Sequence, residues 1–168
     1  MDMLADPQPL ANGIAALRAW LAYRHMGHVA ARRDAVPAAF AERVGLPAHR
    51  KAADYTVART RLGVAETLAE AVVLVALTLA GGLAALVAWT DVLPFGVLGR
   101  DLVLIVAVAV ISGVVGLPFS YAQTFGIEVR FGFNRTTRAL WLADLAKGIL
   151  VGTVLGLPLA ALVLWLMR

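Results

Sequence analysis

The sequence predicts an all-α, polytopic membrane helix bundle with three strong transmembrane helices, a weak N-terminal apolar helix and cytoplasmic helical segments. Three observations carry this expectation. Hydrophobic residues fill 61% of the 168 positions, more apolar side chain than a water-soluble core of this size can enclose. Three stretches reach the roughly 20 apolar residues that a helix needs to cross a hydrocarbon core about 30 Å thick. Charged residues are scarce, at 15%, and are gathered between those stretches. Residues 1–168 read as a single membrane domain.

Met1 to Pro9 carries Asp2 and Asp6 and no basic residue, so no cleavable leader is expected. The weak apolar segment, 10–23, is interrupted by Asn12 and Arg18 and is short for a span; an interfacial helix and a weakened first span both remain open. The segment 24–67 is basic. Val36-Pro37 and Leu46-Pro47 mark turns in it, because a residue before proline avoids helical geometry. From about Ala48 a helix is expected to run into the first span, with Tyr55, Ala58, Leu62 and Ala65 on one face and Arg50 and Asp54 as an i,i+4 pair on another.

The first span is expected at 68–89. It contains Glu70 near its start, and Ala76, Ala80, Ala84 and Ala88 recur along a face that permits close helix approach. The second is expected at 102–121, with Asp101 as N-cap and Pro118 bending the last turn. The third is expected at 148–167, where Gly148, Gly152 and Gly156 form a candidate helix-packing stripe. Between the last two lies a patterned connection, 122–147. Phe125, Phe131 and Phe133 in it need burial, Gly132 opens backbone conformations closed to other residues, and Asn134 suits a turn. Thr136 or Thr137 can cap a helix from Arg138 to Lys147, with Asp144 and Lys147 as an i,i+3 pair.

Charge sets the expected orientation. Arg24, Arg32, Arg33, Arg43, Arg50, Lys51, Arg59 and Arg61 precede the first span, and Arg130, Arg135, Arg138 and Lys147 lie between the second and third. Lys and Arg in short loops favour the cytoplasmic side, so 24–67 and 122–147 are placed there, with Thr90 to Asp101 and Arg168 opposite. The net charge of +4 thus points to a lipid bilayer as partner and not to nucleic acid. Cysteine is absent, which excludes disulfides and thiolate metal sites within the chain. His25 and His28 are i,i+3 but sit among arginines, and no metal site is expected. Beyond Glu70, the spans hold almost no ionisable side chain that would mark a transport pathway.

Ile127-Glu128-x-x-Phe131-Gly132-Phe133-Asn134-x-x-Thr137 resembles the signature of type 1 CAAX prenyl proteases. Val36-Pro37-x-x-Phe40, His49-x-Lys51-Ala52-x-Asp54-Tyr55, Leu117-Pro118-Phe119 and Asp144-x-x-Lys147 follow in the order of that family's N-terminal membrane segment. Several ordered motifs are far more specific than one, and the resemblance runs from about Arg24 onward, closest to bacterial members. It implies an integral-membrane zinc metalloendopeptidase that processes CAAX-type peptides or membrane proteins within an intramembrane chamber. It also implies a bacterial inner (cytoplasmic) membrane as location.

The family's chemistry uses His-Glu-x-x-His, two imidazoles on one helix face with a glutamate base. This sequence has no such motif. The chain is therefore expected to stop before the catalytic motif, to bind no cofactor itself while zinc serves the full-length enzyme, to be inactive alone, and to dock a downstream catalytic domain. The alternative is a non-catalytic membrane interaction or assembly protein derived from that family. No catalytic or metal residue is assigned. Glu128, Phe131, Gly132, Phe133, Asn134 and Thr137 are the structural or chamber-lining candidates, with Glu128 expected to pair with Arg130, Arg135 or backbone donors.

Overall fold

A computed structural model describes residues 8–37 and 40–167; the expectations for Asp2, Asp6 and Arg168 fall outside them. The described residues form helices and no strand. In chain order these are α1 (Gln8–Ala31), α2 (Leu46–Thr78), α3 (Gly82–Asp91), α4 (Val97–Tyr121), a π-helical segment (Ala122–Glu128), α5 (Arg138–Val151), a second π segment (Gly152–Gly156) and α6 (Leu157–Leu166). Two compact units divide the chain: Met1–Ala71 with Pro118–Asn134, and Val72–Leu117 with Arg135–Arg168.

Among the described residues, two helices are long and apolar enough to cross a membrane, Val97–Glu128 and Arg138–Leu166, and up to three if the bent pair α2 and α3 counts as one span. This corrects the expectation of three strong spans. The segment 68–89 is not one rod: α2 stops at Thr78, α3 starts at Gly82, and the pair is bent by 58°.

The cause is local. Gly81 has φ +80, a left-handed conformation that side chains disfavour. A Cβ added to Gly82 would lie 2.7 Å from the Ala76 carbonyl oxygen, so the chain can fold back this closely only at glycine. Thr78 Oγ1 donates to the Leu74 carbonyl at 2.7 Å, a back-bond that also bends helices. The alanine row at 76, 80, 84 and 88 is accordingly split between two helices.

The other boundaries shift as well. Helix α4 begins at Val97, so Asp101 lies inside it and is not its N-cap. Pro118 sits within α4, and helix continues for ten residues beyond it to Glu128. In the expected 122–147 connection, 122–130 is helix that extends α4, while the expected helix from Arg138 to Lys147 is present as the start of α5. The third span grows to 138–166. Its π segment ends two residues before Pro158, which has no N–H for the Val154 carbonyl, and the wider i→i+5 turn accommodates that gap. The widened turn also skews the Gly148, Gly152 and Gly156 row. All three glycines are exposed, and an added Cβ at any of them meets no neighbouring atom within 4 Å.

Apolar side chains face outward along these helices. Leu150, Val154, Leu155, Leu159 and Trp165 are each more than half exposed, and within the best apolar window of either span nothing is buried. Water does not tolerate such a continuous apolar surface, whereas lipid tails do. Among the described residues the buried set is Ala53, Phe131 and Thr90. Between α3 and α4, Arg100 pairs with Asp91 at 3.7 Å and donates through Nε to the Leu93 carbonyl at 3.2 Å, which braces the connection.

Candidate functional site at the aromatic turn

The unit Met1–Ala71 with Pro118–Asn134 brings together residues far apart in sequence. After α4 the backbone widens into the π segment, where residue i+5 stands one turn above residue i. Gln123 and Glu128 therefore share a side, and Gln123 Nε2 donates to Glu128 Oε1 at 3.3 Å. Glu128 was expected to engage Arg130, Arg135 or backbone donors. Instead, Arg130 places its guanidinium 5.7 Å from the Phe131 ring centroid.

The helix then ends in a Schellman motif. Gly132 takes φ +70, its N–H donates to the Val129 carbonyl at 3.0 Å, and the Phe133 N–H donates to the Glu128 carbonyl at 2.8 Å. These are the 5→2 and 6→1 bonds that close a helix when a left-handed residue follows its last turn. The Asn134 N–H adds a second bond to the Glu128 carbonyl at 3.2 Å. No residue other than glycine has positive φ among those described, so Asn134 does not supply the left-handed turn. Thr137 accepts from the Leu140 N–H at 3.2 Å and caps α5.

The turn lies on the first part of α2. Tyr55 meets Phe131 and Phe133 edge-on, with ring centroids 5.5 and 5.0 Å apart. Lys51 Nζ lies 5.1 Å from the Phe133 centroid and 3.7 Å from where a Gly132 Cβ would stand. Phe131 is 8% exposed, the one large side chain buried among the described residues, while Phe133 remains 52% exposed. Aromatic edge contacts add about 0.5–1.5 kcal/mol each beyond area burial.

Beside this, the turn after α1 meets the start of α2. Arg33 reaches Asp54 at 3.3 Å, Arg50 reaches Asp34 at 2.7 Å, and His49 Nε2 bonds the Arg32 carbonyl at 3.0 Å. The expected Arg50 and Asp54 pair is thereby replaced by two longer-range pairs, because the turn after α1 presents Arg33 and Asp34 to α2. All four side chains are about half exposed, so each pair contributes at most about 1 kcal/mol. Asp144 and Lys147 do form their i,i+3 pair, at 3.8 Å.

The residues present do not fit a zinc site. Among those described, no three of His, Cys, Asp and Glu stand close enough to hold a metal, and the His28 ring faces the Arg32 guanidinium at 2.5 and 2.8 Å.

Lys51, Tyr55 and Gln123 were not nominated as site residues from sequence. The first two lie in a motif that resembles the family's own, and their spacing of four on a helix was the available signal that they share a face with the turn.

The model of the CAAX prenyl protease N-terminal region, described with five membrane helices, matches residues 25–168. The chain belongs to that family. The match takes in both motifs that meet at the aromatic turn, and it establishes an integral membrane protein. Against the five helices of the family description, two or three among the described residues are long and apolar enough to cross a membrane.

Curated relatives agree over part of their length. The chain is 37% identical over 68 residues to the CAAX prenyl protease 1 homolog of Taenia solium, covering 40% of this chain and 14% of the relative. It is 38% identical over 65 residues to the homolog of Oryza sativa subsp. japonica, covering 39% and 15%. It is 39% identical over 54 residues to CAAX prenyl protease 1 of Saccharomyces cerevisiae, covering 32% and 12%. The matched stretch thus spans about one seventh of these relatives. All three are eukaryotic, and the expected bacterial inner membrane has no support among them. No solved structure matches.

Proposed function

We propose that this chain is the N-terminal membrane scaffold of a CAAX prenyl protease-like zinc metalloendopeptidase, whose catalytic motif lies outside these 168 residues. The observation that carries the reading is the meeting of two family-like motifs: Lys51 and Tyr55 of α2 hold Phe131 and Phe133 of the turn. In this reading the clamp fixes where helix 97–128 ends against α2. Glu128 and Asn134 stand at that end, as parts of a chamber wall and not as catalytic groups. The exposed Gly148, Gly152 and Gly156 row receives a helix of the downstream catalytic domain. The substrates are CAAX-type peptides or membrane proteins, and zinc belongs to the catalytic portion. The segments 24–67 and 122–147 face the cytosol, as their Lys and Arg content favours.

The test is a peptidase assay on the purified 168-residue chain with added zinc and a prenylated CAAX peptide. No cleavage is expected from the chain alone. Chelator-sensitive cleavage that survives a search for contaminating protease overturns the assignment of catalysis elsewhere. The second reading, a non-catalytic membrane interaction protein, draws on the absence of His-Glu-x-x-His from this sequence. A coding frame that continues into that motif would remove it.

A further inference from the structure

We propose that Lys51 and Arg130, resting on the rings of Phe133 and Phe131, bind the phosphate of an anionic phospholipid headgroup. Four cations near the aromatic turn differ in what meets them. Arg33 and Arg50 are met by carboxylates, those of Asp54 and Asp34. Lys51 and Arg130 are met by aromatic faces instead, at 5.1 and 5.7 Å, and among the described residues neither has a carboxylate within 4.0 Å. A ring face attracts and orients a cation without neutralising it, so both side chains keep their full charge for another anion. The acidic groups nearest in sequence are engaged elsewhere: Asp54, three residues from Lys51, by Arg33, and Glu128, two residues from Arg130, by Gln123.

The two cations bracket one short turn. Gly132 between the two phenylalanines is exposed and has no side chain to cover the approach. Its depth suits a headgroup. Ile127 and Val129 are the last apolar side chains of the helix before Arg130, which stands where the apolar run gives way to the turn, so its long side chain reaches the polar layer that flanks the hydrocarbon core. Long basic side chains there reach phosphates while their stems stay on apolar surface. The shared chemistry is a phosphate anion; the lipid is its source because the turn terminates a membrane-crossing helix. This inference rests on the membrane assignment and not on the proteolytic reading, so either can fail without the other.

The test uses the full chain in detergent, titrated with fluorescent phosphatidylglycerol and, separately, phosphatidylcholine of the same acyl chains. Phosphatidylglycerol is expected to bind more tightly. The double variant Lys51→Gln with Arg130→Gln is expected to lose about tenfold in that affinity with phosphatidylcholine unchanged, whereas Arg50→Gln, which removes a charge already paired, changes it less than about twofold. The charge-keeping exchange Lys51→Arg with Arg130→Lys is expected to retain binding, which separates charge from folding, and circular dichroism checks helix content throughout. Equal binding of the two lipids overturns the proposal. So does an equal loss in Arg50→Gln, which would make the effect diffuse, or a loss in the charge-keeping exchange, which would make it packing. Displacement of phosphatidylglycerol by inorganic phosphate, beyond that by chloride at equal ionic strength, overturns the lipid source in favour of free phosphate.

Discussion

The two compact units of this chain are held by different chemistry. In Met1–Ala71 with Pro118–Asn134, side chains do the holding: Tyr55 against two phenylalanines, Arg33 and Arg50 against two aspartates, Gln123 against Glu128. In Val72–Leu117 with Arg135–Arg168, the shaping features lie largely in the backbone: a glycine break, a proline-associated π turn, and apolar faces left open. Specific side-chain contacts cluster where polar and aromatic residues are gathered in the sequence. Within lipid no hydrophobic drive brings helices together, so backbone geometry and small residues decide. Most of the signature residues lie in the first unit, which is why its contacts carry the functional reading.

Substitutions can break that contrast. The largest expected effect is Phe131→Ala, which removes the buried ring of the first unit and should cost about 3 kcal/mol in detergent unfolding. If it costs under about 1 kcal/mol, the turn is not anchored by this ring. In the second unit, Gly82→Ala forces a Cβ against the Ala76 carbonyl and should cost about 2 kcal/mol, with a smaller bend between α2 and α3 seen as a longer spin-label distance across the break. Gly148→Ala, in open space, should instead be neutral or mildly stabilising in the isolated chain, and the pair of measurements sharpens the claim that only one of these glycines is sterically required. Gly132→Ala meets no steric obstacle but must hold φ +70, and should cost about 1 kcal/mol. The smallest effect belongs to Asp34→Asn, below about 1 kcal/mol and vanishing at high salt.

Much of the molecule is legible from sequence, and the failures have physical causes. The apolar runs around Leu102 to Tyr121 and Gly148 to Met167 identify helices because length and composition suffice. The end of the first of these was misplaced because polar residues such as Gln123 and Glu128 can extend a helix beyond the apolar run, and the start of the second because the expected helix from Arg138 runs on without a break. The break at Leu79 to Gly81 was hidden by unbroken hydrophobicity: a Gly-Gly pair within a span reads as lipid-compatible, yet its steric signal is the stronger one. Gly132 was recognised as conformationally special, but its Schellman role needed the helix to run to Arg130, which the expected loop assignment precluded. The long-range exchange of ion-pair partners, Arg33 with Asp54 and Arg50 with Asp34, depends on how α1 turns toward α2 and has no local signature.

The central claim is that the turn and α2 form one clamp, and a double-mutant cycle on Tyr55→Ala and Phe133→Ala tests it most directly. Unfolding of the wild type, both single variants and the double variant in one detergent should show a coupling of about 1 kcal/mol, as an aromatic edge contact supplies. Effects that add without coupling would contradict the clamp, and with it the reading that these two motifs act as one element.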